Sequence, residues 1–214
     1  SEGDFIEYPD GDEEASGDEA EASCSDSIVY GEEEEIAKID IPYNWRPRAY
    51  QLPAWSALEN GIRRAYLVWH RRSGKDELCL HWTCVAAVQK PATYWHMLPK
   101  ANQARKAIWD AVNPNTGKRR IDEAFPQEIR TSTRENDMLI RFRNGSTWQV
   151  IGSDNYDEAM VGSPPYGVIF SEYALSNPDA WALAVSPILL QNGGWAIFNT
   201  TPRGRNHAEK LLRA

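Results

Sequence analysis

The residues best suited to chemistry lie in AYLVWHRRSGKDELCL, from Ala65 to Leu80. An apolar run, Ala65 to Trp69, enters a basic turn carrying Ser73, Gly74 and Lys75, and a helix is predicted from Asp76, Glu77 and Leu78 onward. That order suits a phosphate. The first N–H groups of a helix have no partner inside it, its dipole is positive there, and glycine lets the backbone wrap closely round an anion. Lys75 would reach the outer phosphates as a point charge. The turn departs from G-x-x-x-x-G-K-[ST] in two places, with Trp69 at the first glycine and Asp76 at the hydroxyl residue. A Gly-Lys pair alone also fits an ordinary basic turn, so the rest of the chain has to choose.

Two apolar runs end in polar residues that complete the chemistry. Tyr166 to Phe170 runs into Ser171-Glu172, and Trp195 to Phe198 runs into Asn199-Thr200-Thr201-Pro202-Arg203-Gly204. Phosphate-loop enzymes support magnesium with a loop hydroxyl and a carboxylate from a second strand, and a neighbouring Glu orients and deprotonates water. Here the two supporting positions look exchanged: Asp76 brings the carboxylate to the loop, and Ser171 brings the hydroxyl to the strand. The exchange preserves the ligand types and their total charge, so Asp76 and Ser171 are the candidate metal pair and Glu172 the candidate catalytic carboxylate. Arg71 and Arg72 lie inside the loop, where one planar guanidinium could clasp a γ-phosphate while the other faces DNA or solvent. Thr200 and Thr201 could bond the attacking water or the γ-phosphate and report hydrolysis to the last helix. About 20 residues before the loop, Arg48, Tyr50 and Gln51 stand where nucleotide-driven motors place an aromatic and an adenine-reading Gln, although the polar face of an amphipathic helix explains them equally well. The four histidines, His70, His81, His96 and His207, read as ordinary strand-edge or helix residues, and no Ser/His/Asp triad is suggested.

These residues need elements to hold them. Helices are predicted within 41–61, with Pro47 in a first turn and Pro53 marking a break, over Glu77 to Gln89, over Ala101 to Val112, from Pro178 to Leu190 with Asn177 as cap, and from Asn206. Thr93 to Leu98 reads as a buried strand, and 113–134 as a basic loop. Met138 to Arg143, Asn144-Gly145 and Ser146 to Ile151 form a hairpin pattern with two turn residues at positive φ, and Arg141 and Arg143 on its polar face. Strands alternating with helices predict an α/β fold: a mostly parallel central sheet with helices on both faces and an inserted β-hairpin. Ligands of such sheets bind at the carboxyl ends of the strands, where all the candidate residues fall.

With 214 residues, 42% hydrophobic content and nine Trp, the chain has ample material for a core. Cys24, Cys79 and Cys84 lack metal-ligand spacing, which suggests free thiols in a reducing compartment. No apolar run approaches the roughly 20 residues that span a bilayer, so no membrane partner is expected. Residues 1–40 form an acidic arm with sixteen Asp/Glu and one Lys, rich in Ser and Gly, expected to be a solvated tail or a docking arm. The remainder, 41–214, carries about +7, which suits an anionic partner such as nucleic acid.

Taken in order, these pieces resemble the ATPase domain of the large terminase subunit of tailed bacteriophages. The resemblance covers 42–214 and rests on Tyr50-Gln51, HRRSGKDE, TYWHMLPKANQAR, the hairpin running into Gly152-Ser153-Asp154, VIFSEYA and NTTPRG. It implies a P-loop NTPase of the ASCE type that uses ATP and Mg2+, hydrolysing ATP to translocate double-stranded DNA into a procapsid. By this resemblance Glu172, Arg71 and Lys75 are catalytic, and Asp76 with Ser171 holds magnesium. Tyr50, Gln51, Arg72, Ser73, Gly74, Lys75, Asp76, Glu77, Thr200 and Thr201 would contact nucleotide, with Gln51 reading adenine. It further implies a portal protein, a small terminase subunit and a homo-oligomeric ring of five as partners, in the host cytoplasm and docked transiently on the procapsid. A nuclease domain is expected beyond residue 214. Ser171 replaces the family's Asp, and Val161-Gly162 stands where many relatives have Arg-Gly, so Arg130, Arg134 and Arg203 become the candidates for a trans-acting arginine. A helicase-like DNA translocase and a degenerate nucleotide-binding adaptor remain the competing readings.

Overall fold

The computed structural model describes residues 45–157 and 162–213. The acidic arm over 1–40 and Val161 lie outside the described residues. Among the described residues seven strands form one sheet: β1 (Arg64–Val68), β2 (Thr93–Leu98), β3 (Arg130–Arg134), β4 (Leu139–Phe142), β5 (Thr147–Gly152), β6 (Pro165–Ser171) and β7 (Trp195–Thr200). Their spatial order is β1-β7-β6-β2-β5-β4-β3. The first five are parallel, and β4 and β3 add antiparallel at one side.

Parallel neighbours require crossovers, and helices supply them. These are α1 (Leu52–Glu59), α2 (Lys75–Gln89), α3 (Ala101–Ala104) continuing into a π-helical turn (Arg105–Trp109), α4 (Arg120–Ala124), α5 (Ser186–Asn192) preceded by π-helical Ala180–Val185, and α6 (His207–Arg213). The strand period of two sorts the core into two layers. Tyr94, Leu98, Trp148, Val150, Ile169 and Ile197 pack with Leu78 and Val88 of α2 on one face. On the other, Trp95, Met97, Val168, Phe170, Ala196 and Phe198 pack with Val185 and Leu189. Both faces are buried, which is why β6 and β7 read as continuous apolar runs. The same alternation has a chemical consequence. His96 shares the side of Tyr94, Ser171 that of Ile169 and Asn199 that of Ile197, so three polar side chains fall side by side in the α2 layer.

Three expectations are corrected. The supposed loop over 113–134 contains α4 and β3, and a bridge between Val112 and Arg119 closes it. β3 reads RTSTR, and its one fully buried residue is Arg130, so no apolar alternation could announce it. The β4–β5 turn places only Gly145 at positive φ (+90°). Gly145 N–H donates to Phe142 O at 3.1 Å, and Phe142 N–H to Ser146 O at 2.9 Å, the pattern of a longer turn closed by a glycine bulge. Asn144 instead donates from its amide to the Ala87 and Val88 carbonyls at 2.8 and 3.2 Å, satisfying the end of α2. Pro47 lies in extended chain before the first turn, while Pro53 does mark a fresh start, at the second position of α1.

Candidate active site

The loop between β1 and α2 is held from outside. Tyr50 O–H donates to Ser73 O at 2.6 Å, and Gln51 Nε2 donates to Ser73 O at 2.9 Å and Gly74 O at 3.3 Å. Gln51 Oε1 accepts the Arg48 N–H at 3.0 Å, and the residue is only 1% exposed. A buried amide bonded at both ends to the chain is a loop brace. Gly74 takes φ +74° ahead of α2, and a Cβ there would stand 3.0 Å from Gln51 Nε2. No side chain caps α2, a helix of 15 residues, so its first N–H groups have no side-chain acceptor at Gly74. Ser73 is buried, and its Oγ has no hydrogen-bond partner. Glu77 lies beside Gly74. Arg71 and Arg72 are exposed, and Arg72 adopts φ +64°, a strained value for a side chain of that size.

Lys75 and Glu172 meet at the carboxyl end of the sheet. Lys75 Nζ is 3.3 Å from Glu172 Oε1 and donates to Thr201 Oγ1 at 3.4 Å, while Thr201 Oγ1 donates to Glu172 Oε1 at 3.1 Å. Glu172 follows the last residue of β6 at φ +53°, a left-handed conformation held by its N–H donating to Asn199 Oδ1 at 3.3 Å. Its Oε2 is buried without a hydrogen bond, and Arg203 Nε stands 3.8 Å away. Of the two threonines only Thr201 enters this cluster. Thr200 is buried, and its hydroxyl donates to the Thr201 carbonyl at 3.2 Å.

Asp76 and Ser171 are brought together, with Ser171 O–H donating to Asp76 Oδ1 at 2.6 Å. Two residues given no role of their own in the sequence reading, Asn199 and His96, complete the cluster. Asn199 Nδ2 donates to Asp76 Oδ1 at 2.9 Å and to Ser171 Oγ at 3.1 Å, and His96 Nε2 lies 2.8 Å from Ser171 Oγ. The hydroxyl has one proton, and the Asp76 carboxylate can only accept, so Oγ accepts from both Asn199 and His96. His96 is therefore the Nε2–H tautomer, and burial lowers its pKa well below the usual imidazole range. Ser171 Oγ is saturated, with no lone pair left for an ion. In this arrangement Ser171 stands behind Asp76, bonded to its carboxylate rather than facing it across an ion.

His96 Nδ1 is buried and unpartnered, an arrangement that costs about 1–3 kcal/mol. A lone His inside an apolar strand gives no sign of this in the sequence. Only the register of β2, β6 and β7 reveals it. Arg130, a candidate for a trans-acting arginine, is excluded from that role, because its side chain is 2% exposed and bonded to Phe125 O, Ile121 O and Asp122. Arg203 stands at Glu172 of its own chain, and Arg134 is exposed near Asp137.

No family model matches the chain, and no curated protein matches it. Solved structures do. The large terminase ATPase domain of Thermus phage P74-26 superposes with a TM-score of 0.60 at 21% identity, over 78% of this chain and 69% of that one. The large terminase of a further thermophilic bacteriophage superposes with a TM-score of 0.58 at 13% identity, covering 74% of this chain and 40% of that one. That second terminase in complex with ADP superposes at 0.55 over 72% of this chain, and with ATP-γ-S at 0.53. At these identities the likeness speaks for the fold: this chain has the P-loop NTPase fold of phage large terminase ATPase domains.

Proposed function

We propose that the chain is the ATP-hydrolysing motor domain of a viral DNA-packaging terminase large subunit, with 41–214 as the ATPase domain. The observation that carries this reading is the meeting of Lys75, Glu172 and Thr201 beside the uncapped start of α2, within a fold shared with terminase ATPase domains. The residues fit a nucleotide polyphosphate: the start of α2 without a side-chain cap, the unpartnered Ser73 hydroxyl and Lys75 supply donors within three consecutive residues. They also fit magnesium. The Asp76 carboxylate at the start of α2 is a hard oxygen donor of the kind magnesium takes together with phosphate oxygens. Asp76 would hold it, and when bound the ion neutralises charge on the transferring phosphoryl group.

Lys75 turns from Glu172 to the phosphates, and Glu172 Oε1, freed of its ion pair, takes the proton of the attacking water. Thr201 bonds both partners and so senses the exchange. Arg203 follows Thr201 by two residues, and Asn206 caps α6 through the Ala208 N–H at 2.9 Å, so a change at Glu172 has a short route to that helix. Arg71 and Arg72 extend the positive rim toward phosphate or DNA. Double-stranded DNA, a portal protein, a small terminase subunit and a five-membered ring are the partners this reading entails, in the host cytoplasm.

The test is fluorescent-nucleotide binding and ATP hydrolysis with and without double-stranded DNA. Wild-type protein binds ATP and hydrolyses it faster with DNA, Lys75→Ala loses binding, and Glu172→Gln binds without turnover. Wild-type protein that binds no ATP overturns the reading.

A further inference from the structure

We propose that His96 is a positioning residue for the divalent-cation side of this site, its Nε2–H fixing the Ser171 hydroxyl as a donor to Asp76 and leaving Asp76 Oδ2 open to the ion. The proposal rests on the nucleotide-dependent reading above. Its geometry comes from three adjacent strands, with Asn199 on β7, Ser171 on β6 and His96 on β2. Ser171 is paired in register with Asn199, and His96 with Ile169, two residues before Ser171 on the same face.

Without the His96 donor, the Ser171 hydroxyl regains a free lone pair and a choice of rotamer. It can then turn from Asp76, and Asp76 loses one of its two bonds to Oδ1, the other being from Asn199 at 2.9 Å. The carboxylate then has a weaker reason to present Oδ2, which makes no hydrogen bond among the described residues. His96 is 0% exposed, and its Nδ1 meets no partner, so the ring is poorly explained as packing alone. Its neighbours on that face are the Trp148 ring, edge-on with centroids 6.2 Å apart, and the Asp76–Ser171–Asn199 group. Partners behind a ligand that hold its orientation commonly carry 10- to 100-fold in metal affinity.

The experiment measures ATP affinity with and without Mg2+ on the full chain, so that the readout is the Mg2+ benefit and not turnover. His96→Phe removes the donor, His96→Met is the second apolar variant should Phe overfill the site, and His96→Gln restores an N–H donor. Thermal melting confirms that each variant is folded. The expected result is a loss of about tenfold or more in the Mg2+ benefit for the apolar variants, unchanged Mg2+-free affinity, and recovery of most of the benefit in His96→Gln. In a Ser171→Ala background the His96 change adds nothing further. A folded apolar variant that keeps the Mg2+ benefit within twofold overturns the proposal and leaves the motor reading intact. A wild type with no Mg2+ benefit overturns both, and a wild type that binds no ATP refutes the motor reading itself.

Discussion

Two of the buried polar clusters among the described residues differ in whether they are finished. Around Arg130 every guanidinium nitrogen has a partner: Nε donates to Phe125 O at 2.7 Å, Nη2 to Ile121 O and Asp122 Oδ1 at 2.9 Å, and Nη1 to Thr133 Oγ1 at 3.3 Å. Arg119 ties Asp122 to Glu135, which accepts the Trp109 indole N–H at 2.6 Å. Around Lys75, Asp76 and Glu172, by contrast, Ser73 Oγ, His96 Nδ1 and Glu172 Oε2 are buried without hydrogen bonds, three of the seven such side-chain atoms among the described residues. Two of the three described non-glycine residues at positive φ, Arg72 and Glu172, are also there, the third being Met138 in the β3–β4 turn. A network complete in itself stabilises a fold, whereas unmet donors, acceptors and strain gathered at one strand end mark a place for a ligand.

The sharpest way to break this contrast is to remove one residue from each cluster. Glu172→Gln is expected to cut ATP hydrolysis by about 100-fold or more while nucleotide binding persists, as read by steady-state turnover and fluorescent-nucleotide titration. Arg130→Ala should do the reverse, lowering stability by about 3–5 kcal/mol in denaturant unfolding, because Asp122 and two buried carbonyls lose their donor, with turnover per folded molecule kept. If Arg130→Ala abolishes turnover in protein that is still folded, the division between the clusters fails.

Acid offers a smaller perturbation. His81 is stacked on Trp45 with ring centroids 4.3 Å apart, and burial pushes its pKa down to about 3. The unfolded chain binds a proton there near pH 6.5 and the folded chain does not, so its contribution is intact above pH 6.5 and is lost as pH falls toward 3. The loss is about 1.4 kcal/mol per pH unit for that one proton. His81→Phe should flatten the slope of stability against pH by that amount between about pH 6 and 4, a difference that denaturation midpoints would resolve. His96 acts in the same direction, so some acid lability remains in that variant.

The finest comparison uses two glycines. Gly74 and Gly145 both lie at positive φ, +74° and +90°, so either Gly→Ala change should cost about 1–2 kcal/mol. A Cβ at Gly145 meets nothing within 4 Å, whereas one at Gly74 presses on the Gln51 amide. Only Gly74→Ala should weaken nucleotide binding, and equal binding by both variants would remove Gln51 from its bracing role.

Much of this was legible in the chain. Apolar runs ending in Ser171-Glu172 and Asn199-Thr200-Thr201 located two strand ends, and the Gly74-Lys75 turn located a third, because strand period and turn chemistry are local properties. The pairing of Asp76 with Ser171 followed from complementary residue types, and the structure joins them at 2.6 Å. β3 was hidden because its pairing with β4 is made by backbone groups beneath a polar sequence. The bracing bonds of Gln51 were not legible, because only its burial against the loop brings its amide to the Ser73 carbonyl.

The sequence by itself determined the alternation of strands and helices, the charge split between residues 1–40 and the rest, and the chemical types gathered at the strand ends. Tertiary structure alone decided which of those types touch. Register across β2, β6 and β7 set His96 and Asn199 against Ser171, so that the hydroxyl opposite Asp76 is bonded from two further strands. The physical reason is that a hydrogen bond depends on ångströms and lone pairs between residues 75 to 123 positions apart, and no local pattern encodes such a distance.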